Sequence, residues 1–120
     1  MSRRRAGRLG EEAARRHLEA AGYRILTANY RAGRGEIDLV AEEGDHLVFV
    51  EVRAKTGRSH GTPAESITAA KRRRMVEAAQ RYMEEEGQWG RPWRIDVVAV
   101  QLDPQGQVRH LEVLVNAVEA

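Results

Sequence analysis

Two apolar runs separated by Gly44-Asp45 dominate the hydrophobic pattern of the chain. In the first run, alternation places Glu36, Asp38 and Val40 on one face of a strand, with Ile37, Leu39 and Ala41 on the other. In the second, Leu47, Phe49, Glu51 and Arg53 share a face, with Val48, Val50 and Val52 opposite. Gly-Asp between two such runs signals a two-residue hairpin turn. That turn fixes the register, so Asp38 stands opposite Glu51 and Glu36 opposite Arg53. A slip of one residue would move the two carboxylates to opposite faces. Both faces of both strands carry apolar residues, which predicts a central hairpin covered on two sides.

Helical spacing appears on either side of this hairpin. Leu9, Ala13, His17, Leu18 and Ala21 form one stripe, predicting a helix over 8–21 with Gly22 as its C′ residue and His17 packed. Glu12 points away from the stripe and Glu11 sits at its edge. A strand is predicted at 23–28, followed by a basic, glycine-containing connection, 29–35. The hairpin strands cover 36–43 and 46–53, and 54–64 read as a polar loop. Thr62-Pro63-Ala64-Glu65 has the form of a capping box with proline at N1. A second helix follows over 68–86, with Met75, Ala78, Ala79, Tyr82 and Met83 as its stripe. Four residues before Met75 that stripe meets Lys71, whereas Arg73 and Arg74 fall elsewhere and face solvent. The Lys71 ammonium either snorkels to the rim or reaches the hairpin carboxylates. A breaker-rich link, 87–92, precedes a strand over 93–101 with a buried run, Val97 to Val100. Asp96 at its start is expected to pair with an arginine. A turn at Asp103 leads to a last strand over 107–115. The order is αβββαββ: an α/β fold with a mixed sheet of about five strands flanked by two helices.

Composition narrows the chemistry. The chain has 120 residues, which suits a single domain over 1–120. It has no cysteine, so any metal must be held by oxygen or imidazole. Met1-Ser2-Arg3-Arg4-Arg5 begins like a secretory n-region, but no apolar stretch follows, and the expectation is a cytoplasmic protein with no membrane partner. The net charge is only +2, yet its distribution is uneven. Residues 1–34 and 52–74 are rich in basic side chains, and 35–51 hold acidic ones alone. An acidic centre between two basic blocks suits a phosphate-rich substrate. Phosphate-binding glycine loops, a nucleophile elbow, a helical zinc motif and the aromatic signature of an RNA-binding sheet are all missing from the sequence.

Opposed carboxylates in a sheet repel. With Cβ atoms ~5 Å apart and an effective dielectric of about 20, the repulsion is roughly 3 kcal/mol. A divalent cation would offset it, and hard ions such as Mg²⁺ or Mn²⁺ prefer carboxylate oxygens. The competing explanation is a solvated hairpin face with scattered charges.

An acidic residue followed, after twelve positions, by Glu-x-Arg resembles the PD-(D/E)xK nuclease superfamily. More specifically, Gly7-Arg-Leu-Gly-Glu-Glu-Ala-Ala14, Asn29-Tyr30-Arg31, Gly35-Glu-Ile-Asp-Leu-Val-Ala41, Phe49-Val-Glu-Val-Arg53, Lys71 and Asp96-Val-Val-Ala-Val100 resemble the YraN family. These are small bacterial proteins taken for endonucleases, distantly similar to archaeal Holliday-junction resolvases. The resemblance covers nearly the whole chain and implies a restriction-endonuclease-like α/β core. Position by position, it implies Asp38 and Glu51 as metal-binding carboxylates, with Glu11 as the helix-borne acid completing the metal set. Arg53 stands where the superfamily motif has lysine. An arginine stays protonated and can only donate and stabilise charge. Metal alone would then activate the water, or Lys55 or Lys71 would take the lysine's part, or catalysis has decayed and binding remains. The resulting expectation is a Mg²⁺- or Mn²⁺-dependent endonuclease acting on DNA, branched or otherwise structured. Its catalytic residues would be Glu11, Asp38, Glu51, Arg53 and Lys71. Arg31, Arg34, Lys55, Arg58, Arg73 and Arg74 would bind the nucleic acid, and a homodimer is left open. A nucleic-acid-binding module without catalysis is the alternative; a protein-interaction domain is the third reading.

Overall fold

The computed structural model describes residues 1–57 and 67–118, with side chains as far as Asn116. Its elements are α1 (Arg3–Ala20), β1 (Arg24–Ala32), β2 (Gly35–Glu43), β3 (His46–Thr56), α2 (Ala69–Glu85), β4 (Trp93–Leu102) and β5 (Val108–Val118). They match the predicted order: a helix, three strands, a helix and two strands. The strands form one sheet in the order β1-β2-β3-β4-β5. β3 and β4 are parallel and joined through α2, while the other neighbours are antiparallel. The hairpin register is the expected one, with Leu39 opposite Val50 and Val40 opposite Phe49.

Alternation along β2 and β3 sends apolar side chains to both sides of the sheet, and a helix covers each. On one side, Met75, Ala78, Ala79 and Met83 of α2 pack on Val40, Leu47, Phe49 and Val97. Tyr82 meets Tyr30 and Phe49 edge to face, with ring centroids 5.2 and 5.7 Å apart. On the other, Ala14 and Leu18 of α1 pack on Leu39, Ala41, Val48 and Val50. Close approach on the α1 side depends on Gly10: a Cβ there would lie 2.5 Å from that of Ala54.

Several local expectations are corrected. α1 starts at Arg3, five residues before the predicted start, because the Ser2 hydroxyl accepts the Arg5 N–H and caps it. Its buried stripe is Ala6, Gly10, Ala14 and Leu18, and His17 is exposed. β1 runs through the supposed connection to Ala32, with Asn29 in the left-handed region at φ 54. Asparagine tolerates that conformation better than most residues. The kink interrupts alternation, and Ile37, opposite Tyr30, joins the α2-side cluster rather than the side of Leu39 and Ala41. β3 continues to Thr56, so the predicted loop starts later. Arg58 and the capping box Thr62–Glu65 lie outside the described residues. No helix of the described residues is long and apolar enough to cross a membrane.

Candidate functional site

The β2–β3 ladder stops at Leu39 and Val50. One step further, Asp38 and Glu51 stand opposite each other, and the ladder is continued by a side chain. Asp38 Oδ2 accepts the Val52 N–H at 2.7 Å, in place of a β2 carbonyl. Glu51 is only 5% exposed. The Asp38 carboxyl is pushed up to about 8, first by burial, then by hydrogen bonding to Glu51 and by its charge. The Val52 N–H opposes the shift, and the charge of Glu11 adds slightly to it. Near neutral pH the Asp38 carboxyl therefore keeps its proton.

Lys71 answers the remaining charge. Its Nζ lies 2.6 Å from Glu51 Oε2. Thr68 caps α2 and accepts the Lys71 N–H at 3.1 Å, which sets the first turn over Glu51. A cavity of about 230 Å³ opens beside this trio, lined also by Arg34, Glu36, Arg74 and Met75. Gly35 lets β2 come this close, since a Cβ there would run into the Arg74 carbonyl.

The structure brings Asp38, Glu51, Lys71, Arg34 and Arg74 together around the cavity. Arg74 is exposed, as its place off the helical stripe allowed, and it also lines the cavity. Arg73 is exposed and lies off the cavity lining. Glu36 bridges to Arg31, its ladder neighbour on β1, at 3.9 Å. Arg53 is half-buried and lines a neighbouring groove with Lys55 and Arg3. Glu11 comes from α1, on the face away from α2, and accepts a hydrogen bond from Asn29 Nδ2 at 3.2 Å. It lines a separate recess with Arg8 and Arg15. Among the described residues, no three acidic or histidine side chains are grouped closely enough to hold an ion. Asp96 pairs with Arg94 as expected, at 3.1 Å, and also accepts the Asn116 N–H.

Two contributors escaped the sequence reading. Asn29 orients Glu11, and Arg3 faces the groove beside Arg53. For Asn29 the signal was present, since asparagine before a basic turn is a common left-handed residue. Arg3 gave none, as one of three consecutive arginines. Both helices begin at the Glu51 end of β3, where their positive dipole ends add to the basic rim. The opposite end carries Glu42, Glu43, Asp45 and Glu84 to Glu86.

The fold and this trio define a mixed α/β protein with a half-buried aspartate opposite a buried glutamate, a lysine against the glutamate and a basic rim. The chain belongs to the UPF0102 family, in line with its resemblance to YraN: the model of the uncharacterised protein family UPF0102 matches residues 10–100. A UPF0102 protein of Pelotomaculum thermopropionicum is 49% identical over 116 residues, covering 97% of each chain. One from Moorella thermoacetica is 48% identical over 117 residues, 98% of each chain. One from Rhodococcus opacus is 44% identical over 108 residues, 88% of this chain and 91% of its own.

Proposed function

We propose that this protein is a metal-dependent endonuclease acting on DNA, with branched or otherwise structured DNA as the first candidate substrate. One observation carries the reading: the half-buried Asp38 carboxyl, pushed up to about 8, opposes the buried Glu51 beside a basic-rimmed cavity, with a lysine against Glu51. A site that holds an extra proton near neutral pH is also a site for a small hard cation. Two carboxylates suit Mg²⁺ or Mn²⁺, which commonly take one or two protein carboxylates together with substrate phosphates. In this reading Asp38 and Glu51 hold the ion, and when bound it supplies Lewis acidity and a more acidic water.

The chain's own residues do the rest. Arg34 and Arg74 hold phosphate oxygens at the cavity mouth. Lys71 donates toward the charge that develops on the phosphate, and Arg53, two residues along β3 from Glu51, adds a fixed positive charge. Glu11 acts on the pair only through its field, since Asn29 holds it apart. The restriction-endonuclease-like core of the PD-(D/E)xK resemblance is consistent with a five-stranded sheet flanked by two helices.

The test is a cleavage screen over duplex, flap, junction and single-stranded DNA in Mg²⁺ and Mn²⁺. Metal-dependent cleavage that Glu51→Gln abolishes is expected. A second reading, a nucleic-acid-binding module without catalysis, is favoured because no third acidic side chain among the described residues groups with Asp38 and Glu51. Binding of structured DNA without cleavage in either metal would establish it.

A further inference from the structure

The contact between Lys71 and Glu51 joins a fixed group to a movable one. Glu51 is 5% exposed and belongs to β3, the middle strand of the sheet, so its carboxylate stays where the sheet puts it. Lys71 reaches it from the first turn of α2, and the lysine side chain is 39% exposed. Nζ lies 2.6 Å from Oε2, yet the pair lacks hydrogen-bond alignment, and among the described residues that oxygen accepts no hydrogen bond. The ammonium holds Glu51 by charge.

The helix under Lys71 is pinned. Met75, one turn further on, is buried, and Gly35 lies so near the Arg74 carbonyl that a Cβ would run into it. Any movement of the ammonium is therefore a rotation of its four-carbon stem over a fixed backbone. The cavity of about 230 Å³ has Lys71 in its own lining, which gives that stem room to turn.

A buried carboxylate needs a cation, because an uncompensated charge is strongly unfavourable out of water. Lys71 supplies one positive charge from the chain itself. A divalent ion supplies two, and at contact distance it repels the ammonium from the same oxygen. We infer that Lys71 is a built-in plug of the proposed ion site: its ammonium takes the cation place on Glu51, and a divalent ion must displace it to bind. The inference rests on the metal part of the proposed function. It makes the ion-free arrangement a closed one. It also couples arrival of the ion to release of the ammonium that donates toward the phosphate.

Lys55 and Lys71 are the two lysines of the chain, so amine labelling reads the displacement directly. Wild type is reductively methylated with and without Mn²⁺, and mass spectrometry follows each lysine, with Lys55 as the internal reference. Mn²⁺ should speed Lys71 labelling by roughly fivefold or more, the lower end of ordinary coupling between two sites. Glu51→Gln should make Lys71 react fast in either condition. In parallel, electron paramagnetic resonance measures Mn²⁺ affinity for wild type, Lys71→Met, Lys71→Arg and Arg74→Met, with circular dichroism to show each variant folded. Lys71→Met should bind Mn²⁺ roughly 5- to 150-fold more tightly than wild type. Lys71→Arg should stay near wild type. Arg74 lines the same cavity, so its variant controls for net charge and should gain much less. Equal gains from Lys71→Met and Arg74→Met would overturn the plug, leaving only bulk charge. If wild type binds Mn²⁺ through Glu51 while Lys71 labelling stays unchanged, the plug falls and the metal site stands. If neither wild type nor Lys71→Met binds Mn²⁺, the plug and the metal part of the proposed function fall together.

Discussion

The Asp38 carboxylate takes the Val52 amide that a main-chain carbonyl of β2 would otherwise take, at 2.7 Å. The same carboxyl faces Glu51 and is pushed up to about 8. One side chain therefore closes the sheet and forms half of the acidic pair, and substitutions at position 38 can separate the two tasks. Asp38→Asn keeps an oxygen that can accept the Val52 N–H and removes the charge. Asp38→Ala loses both, leaving the Val52 N–H without its acceptor at a cost of about 1–3 kcal/mol. The expected order of stability at pH 8 without metal is Asn at or above wild type and Ala clearly below, as read by urea denaturation. An alanine variant as stable as wild type would show that the ladder bond contributes nothing.

The pH dependence follows with a definite sign. Asp38 titrates at about 8 in the folded protein against an ordinary 3.8, and burial is the largest cause. Between those values the folded state holds a proton that the unfolded chain has released. The contribution of Asp38 is therefore fully present below about pH 4 and is lost as pH rises through about 8. Other carboxylates titrate too: Glu43, for example, is held low by its hydrogen bond from Arg94. The clean measurement is the difference between wild type and Asp38→Asn. Wild type should lose ground to the variant steadily from pH 4 to pH 8. A constant difference across that range would show Asp38 titrating normally.

In the proposed function, a divalent ion at the pair would compete with the proton on Asp38. Millimolar Mg²⁺ or Mn²⁺ should raise the melting temperature by mass action on the folded state, and more at pH 8 than at pH 6. Glu51→Gln should remove most of the response. A melting temperature indifferent to metal in wild type would count against an ion at this pair.

In the proposed function, Lys71 and Arg53 would divide the lysine role of the resembled motif between a helix and a strand. Loss of one preorganised donor typically costs ~10²–10³ in rate. Lys71→Ala should show that fall in single-turnover cleavage in Mn²⁺ with DNA affinity in Ca²⁺ nearly intact. Arg53→Lys should keep more activity than Arg53→Ala. If Lys71→Ala lowers affinity and rate together, the ammonium serves as a phosphate contact rather than a stabiliser of the reacting group.

At Gly10 the prediction is purely steric. A Cβ added there meets Ala54 Cβ at 2.5 Å, and both belong to packed elements. Gly10→Ala should destabilise by about 1–3 kcal/mol as an overpacked contact. Ala54→Gly in the same molecule should restore part of the loss, as a double-mutant cycle in denaturant can show. Equal losses with and without Ala54→Gly would place the strain elsewhere.

The hairpin was legible because three local signals agree: two alternating runs, a Gly-Asp turn, and a register that only one pairing satisfies. With it comes the opposition of Asp38 and Glu51. The inward turn of Lys71 was legible as one helical step before Met75. Glu11 was not, because its edge position on α1 fits either approach to the pair. The helix packs on the far face, and Asn29 anchors the carboxylate there. The bridge from Glu36 to Arg31 was hidden, because the ladder with β1 runs through a stretch that looks like a basic connection. Arg34 and Gly35 illustrate the same limit: a basic connection hid a glycine that lets α2 descend onto β2.

The parallel crossover from β3 through α2 to β4 bears on the order in which this molecule assembles. The β2–β3 hairpin closes across a two-residue turn and can form early, since its contacts are local. It zips from Gly44-Asp45 toward the carboxyl end and meets like charges at its last step. Lys71 reaches Glu51 only when the longer crossover loop has closed. The nascent hairpin should therefore fray at its open end until α2 docks. Acid or divalent ions would speed refolding by easing that final step, and in neutral, metal-free solution the slowest phase should report the arrival of the second helix.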